Sequence, residues 1–163
     1  IRLLNLPVDV VHANDWQTGL IPALLATEYH SAERYRSITS LFTIHNMAYQ
    51  GLFPYEVFKK LGLPGRFWSP AGLEFYNQMS FIKGGLVFAD WINTVSPTDA
   101  REIQTEEFGC GLQGLLQERQ HRLGNPGQAA RDRVAVCGRA LDEARQVAGE
   151  IKQDHQRQIH DER

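Results

Sequence analysis

With 163 residues, 42% of them hydrophobic, the chain suits a single domain that buries roughly 70% of its unfolded surface. Its formal net charge of −2 comes without the clustered Lys and Arg that bring a protein to nucleic acid or to an anionic membrane, so neither partner is expected. Two cysteines, Cys110 and Cys137, stand far apart with no Cys-x-x-Cys; neither a disulfide framework nor a zinc site is suggested, and a reducing cytoplasm fits.

The amino terminus, "IRLLNLPVDVVHAND", lacks a basic region followed by an apolar stretch and a cleavage site. No run approaches the roughly 18 apolar residues of a membrane span. A soluble, cytoplasmic protein is expected, plastidial if the source is a plant. The chain begins at Ile1 rather than Met and reads as a fragment.

In chain order, "VDVVH" at 8–12 is a short β-rich run. "WQTGLIPALLATEYH" follows with apolar residues at 16, 20, 21, 24 and 25, a helical spacing. "SITSLFTIH" at 37–45 is β-branched and apolar on both faces, as in a parallel strand covered by helices. After a Gly/Pro-rich stretch at 51–72, "EFYNQMSFIKGGLVFAD" at 74–90 carries apolar residues at 75, 79, 82, 86 and 89, which predicts a helix despite two glycines. "WINTVS" is the next strand. Ser96, Pro97 and Asp99 supply an N-cap, a first-turn proline and an acidic third position, so a helix should begin at 97. Strands alternating with helices predict an α/β fold with a parallel sheet.

Composition changes near residue 123. Every aromatic residue lies before it, and residues 123–163 are rich in Ala, Gln and Arg. Two segments are therefore expected: a domain over 1–122, and an atypical tail over 123–163 that is disordered or an isolated helix with Leu141, Ala144, Val147, Ala148 and Ile151 on one side.

Ligands of open parallel sheets sit beyond the carboxyl ends of the strands. Two polar clusters fall there: "HANDW" at 12–16 and "HNMAYQG" at 45–51. Asp15 suits an N-cap as well as a ligand contact. His45 suits acid–base chemistry or a hydrogen bond to a neighbouring loop. Asn46 and Gln50 suit loop stabilisation or ligand binding, Tyr49 a packed or ligand-facing rim, and Trp16 the core or the apolar face of a sugar ring. No phosphate-binding P-loop, His-Glu-x-x-His or Gly-x-Ser-x-Gly elbow is present. The paired glycines of "FIKGGLVFAD" carry no dinucleotide fingerprint and are read as close helix packing.

"DVVHANDWQTGLIPALL", "FTIHNMAYQGLFP", "GLEFYNQMSFIKGGLVFAD" and "INTVSPTDAREIQTEEFGCGLQGLLQ" together resemble the bacterial glycogen synthase and plant starch synthase family, in order and over about Val8 to Arg122. The resemblance implies a Rossmann-like parallel sheet with flanking helices, forming part of the amino-terminal half of a GT-B glycosyltransferase. It implies retaining transfer of glucose from ADP-glucose to the non-reducing end of an α-1,4-glucan, with no metal and no cofactor. Asp15 and Trp16 match the family's Asp-Trp on the cleft wall; His45 and Asn46 match its His-Asn beside the transferred glucose. His45 and Asp15 are thus the catalytic candidates, and Trp16, Asn46, Tyr49 and Gln50 the substrate-binding ones.

The family's Lys-x-Gly-Gly-Leu loop has no counterpart here, and "GNPGQAARDR" replaces the family's continuation after "HRL". A frameshift or misjoined gene is the expectation for the tail. A carboxy-terminal GT-B domain is expected in a full-length parent, so the chain alone should be inactive. The alternative is a non-catalytic carbohydrate-binding or regulatory remnant; a sucrose synthase relative fits "HNMAYQG" less well.

Overall fold

The computed structural model describes residues 1, 3, 5–121 and 133–136. The first unit is strand β1 (Val10–Asn14), a 3-10 turn (Trp16–Thr18) and helix α1 (Leu20–Ala26). The strand runs two residues further than the 8–12 expected. The helix stops short of His30, because the Thr27 hydroxyl turns back to the Ala23 carbonyl at 2.7 Å and competes with continuation of the backbone ladder. A short helix α2 (Glu33–Arg36) leads to strand β2 (Thr39–Ile44), buried at every residue, as its two-faced apolar pattern requires.

Between β2 and the next sheet strand the chain builds a satellite: strand β3 (Leu52–Phe53), helix α3 (Tyr55–Lys60), a 3-10 turn (Gly65–Phe67), and strands β4 (Glu74–Phe75) and β5 (Gln78–Ser80). The three strands form an antiparallel sheet in the order β3-β5-β4. This corrects the single helix expected over 74–90: only helix α4 (Phe81–Phe88) is helical there. The reason is local. Tyr76 and Asn77 both take positive φ, 48° and 61°, the requirement of a two-residue hairpin turn, and the Asn77 amide donates to Glu74 Oε1 at 2.8 Å. Ser80 then caps α4, its hydroxyl accepting from the Lys83 amide at 3.3 Å. Met79, Ile82 and Leu86 are wholly buried, so the apolar stripe is real but is shared between a strand and a helix.

Lys83 fastens the satellite to α4. Its buried ammonium donates to the Pro70 and Glu74 carbonyls at 2.6 and 2.5 Å. Burial lowers its pKa, and the Glu74 carboxylate works against that shift.

Strand β6 (Trp91–Thr94) follows, fully buried, then helix α5 (Pro97–Glu102) and helix α6 (Gln113–His121). Ser96 caps α5 as its sequence predicts, accepting from the Asp99 amide at 3.0 Å. The Asp99 carboxylate does not return to Ser96; it takes the Thr94 hydroxyl instead. Strands β1, β2 and β6 are parallel, with strand β7 (Arg133–Val136) parallel to β6 at the edge. The order is β1-β2-β6-β7.

One face of this sheet carries the core. Ala13, Phe42, Ile44 and Ile92 meet Ile82 and Leu86 of α4 and Leu116 of α6. A Cβ on Gly85 would lie 2.4 Å from Phe42 Cζ, and one on Gly84 2.9 Å from the Gly19 carbonyl. The paired glycines thus let α4 sit directly on β2 and on the start of α1. Behind α1 and α4, Ala23, Phe58, Phe67, Leu73 and Met79 form a second core, into which residues 51–72 fold.

Within 123–163 only Arg133–Val136 are described, as strand β7, and the expectation of disorder or an isolated helix over the rest of this segment falls outside the described residues. The Leu141–Ile151 stripe and Cys137 lie outside the described residues.

Candidate functional site

The parallel register sets Asn14, Thr43 and Asn93 side by side across β1, β2 and β6 near their carboxyl ends. Side chains alternate faces along a strand, so His12 shares their face, opposite the apolar core. A hydrogen-bonded ladder results. The Thr43 hydroxyl donates to Asn93 Oδ1, which leaves its lone pair for His12 Nε2 at 2.6 Å, so His12 carries its proton on Nε2. Burial, and secondarily the charge of His45, hold the His12 pKa below the ordinary histidine value.

Asp15 opens the 3-10 turn after β1, yet its side chain makes no cap bond. Its amide donates to the Thr43 carbonyl at 2.9 Å, extending the β1–β2 ladder by one residue. Its backbone then turns sharply, with φ 55° and ψ −178°, a region essentially restricted to glycine and costing about 1–3 kcal/mol for other residues. That turn aims the carboxylate at the next strand's loop. Oδ1 accepts the His45 amide at 2.7 Å and, more weakly, the Asn46 amide at 3.4 Å. The carboxylate therefore holds the His-Asn backbone in place. Thr18 locks the turn from below, its hydroxyl within 2.6 Å of both the amide and the carbonyl of Asn14.

The loop after β2 divides by role. His45 is exposed, and its Nε2 lies 3.1 Å from Asn14 Oδ1. Because an amide oxygen only accepts, Nε2 bears the proton in this bond, and in the neutral ring Nδ1 is the acceptor. Asn46 folds the loop, its Oδ1 accepting from the Ala48 amide at 2.9 Å. Met47 is buried as an anchor, whereas Tyr49 is 65% exposed.

Gln50 is buried, and its Nε2 donates to the Cys110 carbonyl at 2.7 Å. Gly51 takes φ 59°, and a Cβ there would sit 2.4 Å from Trp16 Cε3. The Trp16 indole packs beneath the loop against Phe53 and Phe81, with ring centroids 5.9 and 6.3 Å away.

Of the six residues singled out from sequence, Asp15, His45 and Asn46 come together, Trp16 underpins them, Tyr49 stands at the rim, and Gln50 ties the loop to the segment before α6. Asn14 was missed, although its place two residues after His12 puts it on the polar face of β1. The arrangement offers hydrogen-bonding side chains on a backbone held by the Asp15 carboxylate, suited to hydroxyl recognition. Among the described residues, no group of three or more His, Cys, Asp or Glu could hold a metal ion, and no helix is long and apolar enough to cross a membrane.

Residues 1–118 match the family model described as the starch synthase catalytic domain. Glycogen synthase 1 of Methylococcus capsulatus is 64% identical over 115 residues, 71% of this chain and 22% of the relative. The glycogen synthase of Cellvibrio japonicus is 59% identical over 120 residues, 74% of this chain and 24% of the relative. Among solved structures, the catalytic domain of starch synthase IV from Arabidopsis thaliana, bound to ADP and acarbose, superposes with a TM-score of 0.62 at 31% identity. The match covers 68% of this chain and 23% of that one. The chain thus spans about a quarter of the length of the curated relatives it matches.

Proposed function

The chain belongs to the starch synthase catalytic-domain family, a family of glucosyl transfer in glucan synthesis, and on that premise we propose that its polar rim holds the glucose moved from ADP-glucose to the non-reducing end of an α-1,4-glucan. Breaking a glucosyl–diphosphate bond leaves an oxocarbenium-like ring, and catalysis comes from fixing its hydroxyls and stabilising charge as it develops. His45 Nδ1 accepts a hydrogen bond from a hydroxyl of that ring, and Asn46 shapes the same loop. Asp15, whose carboxylate is already engaged by two amides, acts by positioning: it fixes where His45 stands. Tyr49 lies at the solvent edge, where an acceptor chain would pass. Trp16 and Gln50 keep the loop rigid.

The observation that carries this reading is the Asp15 bond to the His45 amide across 30 residues of sequence, made at the expense of a glycine-like backbone. Strain of this kind concentrates at functional sites. The relatives' names and the neighbour's bound ADP and acarbose support the substrate class.

A retaining GT-B enzyme needs two cleft walls. The chain alone is therefore expected to transfer no glucose, its opposite wall being a carboxy-terminal domain in a full-length parent, and the cytoplasm its compartment. Two measurements test this. Radiolabelled transfer from ADP-glucose to glycogen by the isolated chain would show that one wall suffices. In a full-length relative carrying residues 1–118 of this chain, His45→Ala should lower kcat by about 10², the loss typical of one transition-state contact. An unchanged kcat would remove His45 from the chemistry.

A further inference from the structure

The hairpin joining β4 to β5 ends in an exposed aromatic held under strain. Tyr76 is 78% exposed and takes φ 48°, a conformation that Gly or Asn accepts easily and a bulky side chain does not. The ring is nonetheless fixed in place. Phe75 meets it edge to face, with centroids 4.6 Å apart and planes at 75°. Gly111, at φ 84°, leaves room on the other side: a Cβ there would come within 2.9 Å of Phe75 Cζ and 3.7 Å of Tyr76 Cε2.

The hairpin tip is coupled to the polar rim through one short path. Gly111 follows Cys110, whose carbonyl accepts the Gln50 amide at 2.7 Å, and Gln50 closes the loop that begins at His45. Two more exposed rings lie close in sequence to the path: Tyr49 before Gln50, and Phe108, 46% exposed, two residues before Cys110.

Charge then selects the occupant. Segments 74–77 and 105–111 contain Glu74, Glu106 and Glu107 and no Lys or Arg, and the neighbouring Lys83 ammonium is buried on the Pro70 and Glu74 carbonyls. A nucleoside diphosphate would be repelled here, whereas a neutral sugar would not. The apolar face of a pyranose stacks on an aromatic ring, and Tyr combines such a face with a polar tip at low entropic cost.

We propose that Tyr76, together with the exposed Phe108 and Tyr49, is a stacking platform for the neutral glucan chain, leading it to the rim at His45, and that the anionic donor enters from another side. This rests on the glucan reading above and adds to it the residue that carries the chain and the side from which the chain arrives.

The test is two-dimensional NMR of the whole chain, titrated with maltoheptaose and separately with ADP. Maltoheptaose should move the ring resonances of Tyr76 and Phe108, and ADP should leave them in place. Tyr76→Ala should weaken maltoheptaose about fivefold to tenfold, and Tyr76→Trp should retain it. Tyr76→Gly separates binding from folding: it should raise the melting temperature, because φ 48° suits glycine, while weakening maltoheptaose as much as Ala does. Unchanged affinity in Tyr76→Ala and Tyr76→Gly, or movement of Tyr76 by ADP, overturns the platform. So does a Tyr76→Gly chain that loses stability together with affinity, since that assigns the ring a structural role. If maltoheptaose moves His45 and Asn46 but not Tyr76, the platform fails and the glucan reading stands. A chain that responds nowhere to maltoheptaose overturns both.

Discussion

Replacing Asp15 separates two opposing terms that meet in one residue. Its carboxylate accepts the exposed His45 amide at 2.7 Å. A hydrogen bond to a charged group is worth about 1.5–3 kcal/mol, and solvent access puts this one near the lower end, about 1.5. Against it stands the backbone at φ 55°, ψ −178°, costing about 1–3 kcal/mol. Asp15→Ala loses the bond and keeps the strain, so the chain should be less stable by about 1.5 kcal/mol. Asp15→Gly loses the same bond, recovers the strain, and gives back about 0.5–1 kcal/mol to glycine's freedom in the unfolded chain. Glycine should therefore be more stable than alanine by about 1 kcal/mol, or roughly 2–4 °C in melting temperature. That reverses the usual order of the two residues. In both variants the His45 and Asn46 amides should exchange with solvent faster. Urea denaturation with amide exchange by NMR reads both effects. If Asp15→Gly is no more stable than Asp15→Ala, or if the two amides exchange as in wild type, the account of Asp15 as a strained positioning residue is wrong.

Gly85→Ala gains about 1 kcal/mol of helix propensity, yet its Cβ lands 2.4 Å from Phe42. Overpacking of about 1–3 kcal/mol should leave it less stable on balance, with Phe42→Leu restoring the loss in a double mutant measured by thermal denaturation. Burial, then the charge of Glu102, raise the Asp99 pKa; the folded state holds that proton to higher pH than the unfolded one, so stability should fall as pH rises from the ordinary carboxylate value through the raised one. In Asp99→Asn, urea midpoints measured across that range should lose this fall. His45 should show nitrogen-15 shifts of the Nε2–H tautomer, and Asn14→Ala, lacking the acceptor 3.1 Å away, should give a mixture; an unchanged spectrum would detach Asn14 from His45.

The sequence by itself determined the sheet. The run at Thr39–Ile44 is β-branched and apolar, and a parallel strand covered by helices satisfies such a pattern. It also determined the cap at Ser96, because that bond is made within one turn, and it grouped His45, Asn46 and Asp15 at one edge, because both clusters follow strands. Periodicity failed at 74–90, since Phe75, Met79, Ile82 and Leu86 fit a helix as well as a hairpin followed by a helix. The positive φ of Tyr76 and Asn77 decided between them, and no spacing rule sees a dihedral angle.

The tertiary structure alone decided what each polar residue does. Asp15 could cap its own turn or reach another strand; the β1–β2 register brought the His45 amide within 2.7 Å, and a charged acceptor takes the donor that packing supplies. Gln50 looked like part of a rim, and folding buried it against Cys110. Asn14 acquired a role only because residue 45 came to lie beside it. Local propensity acts within a turn, whereas these roles depend on partners 30 to 60 residues away, brought together only when the sheet closes over its core.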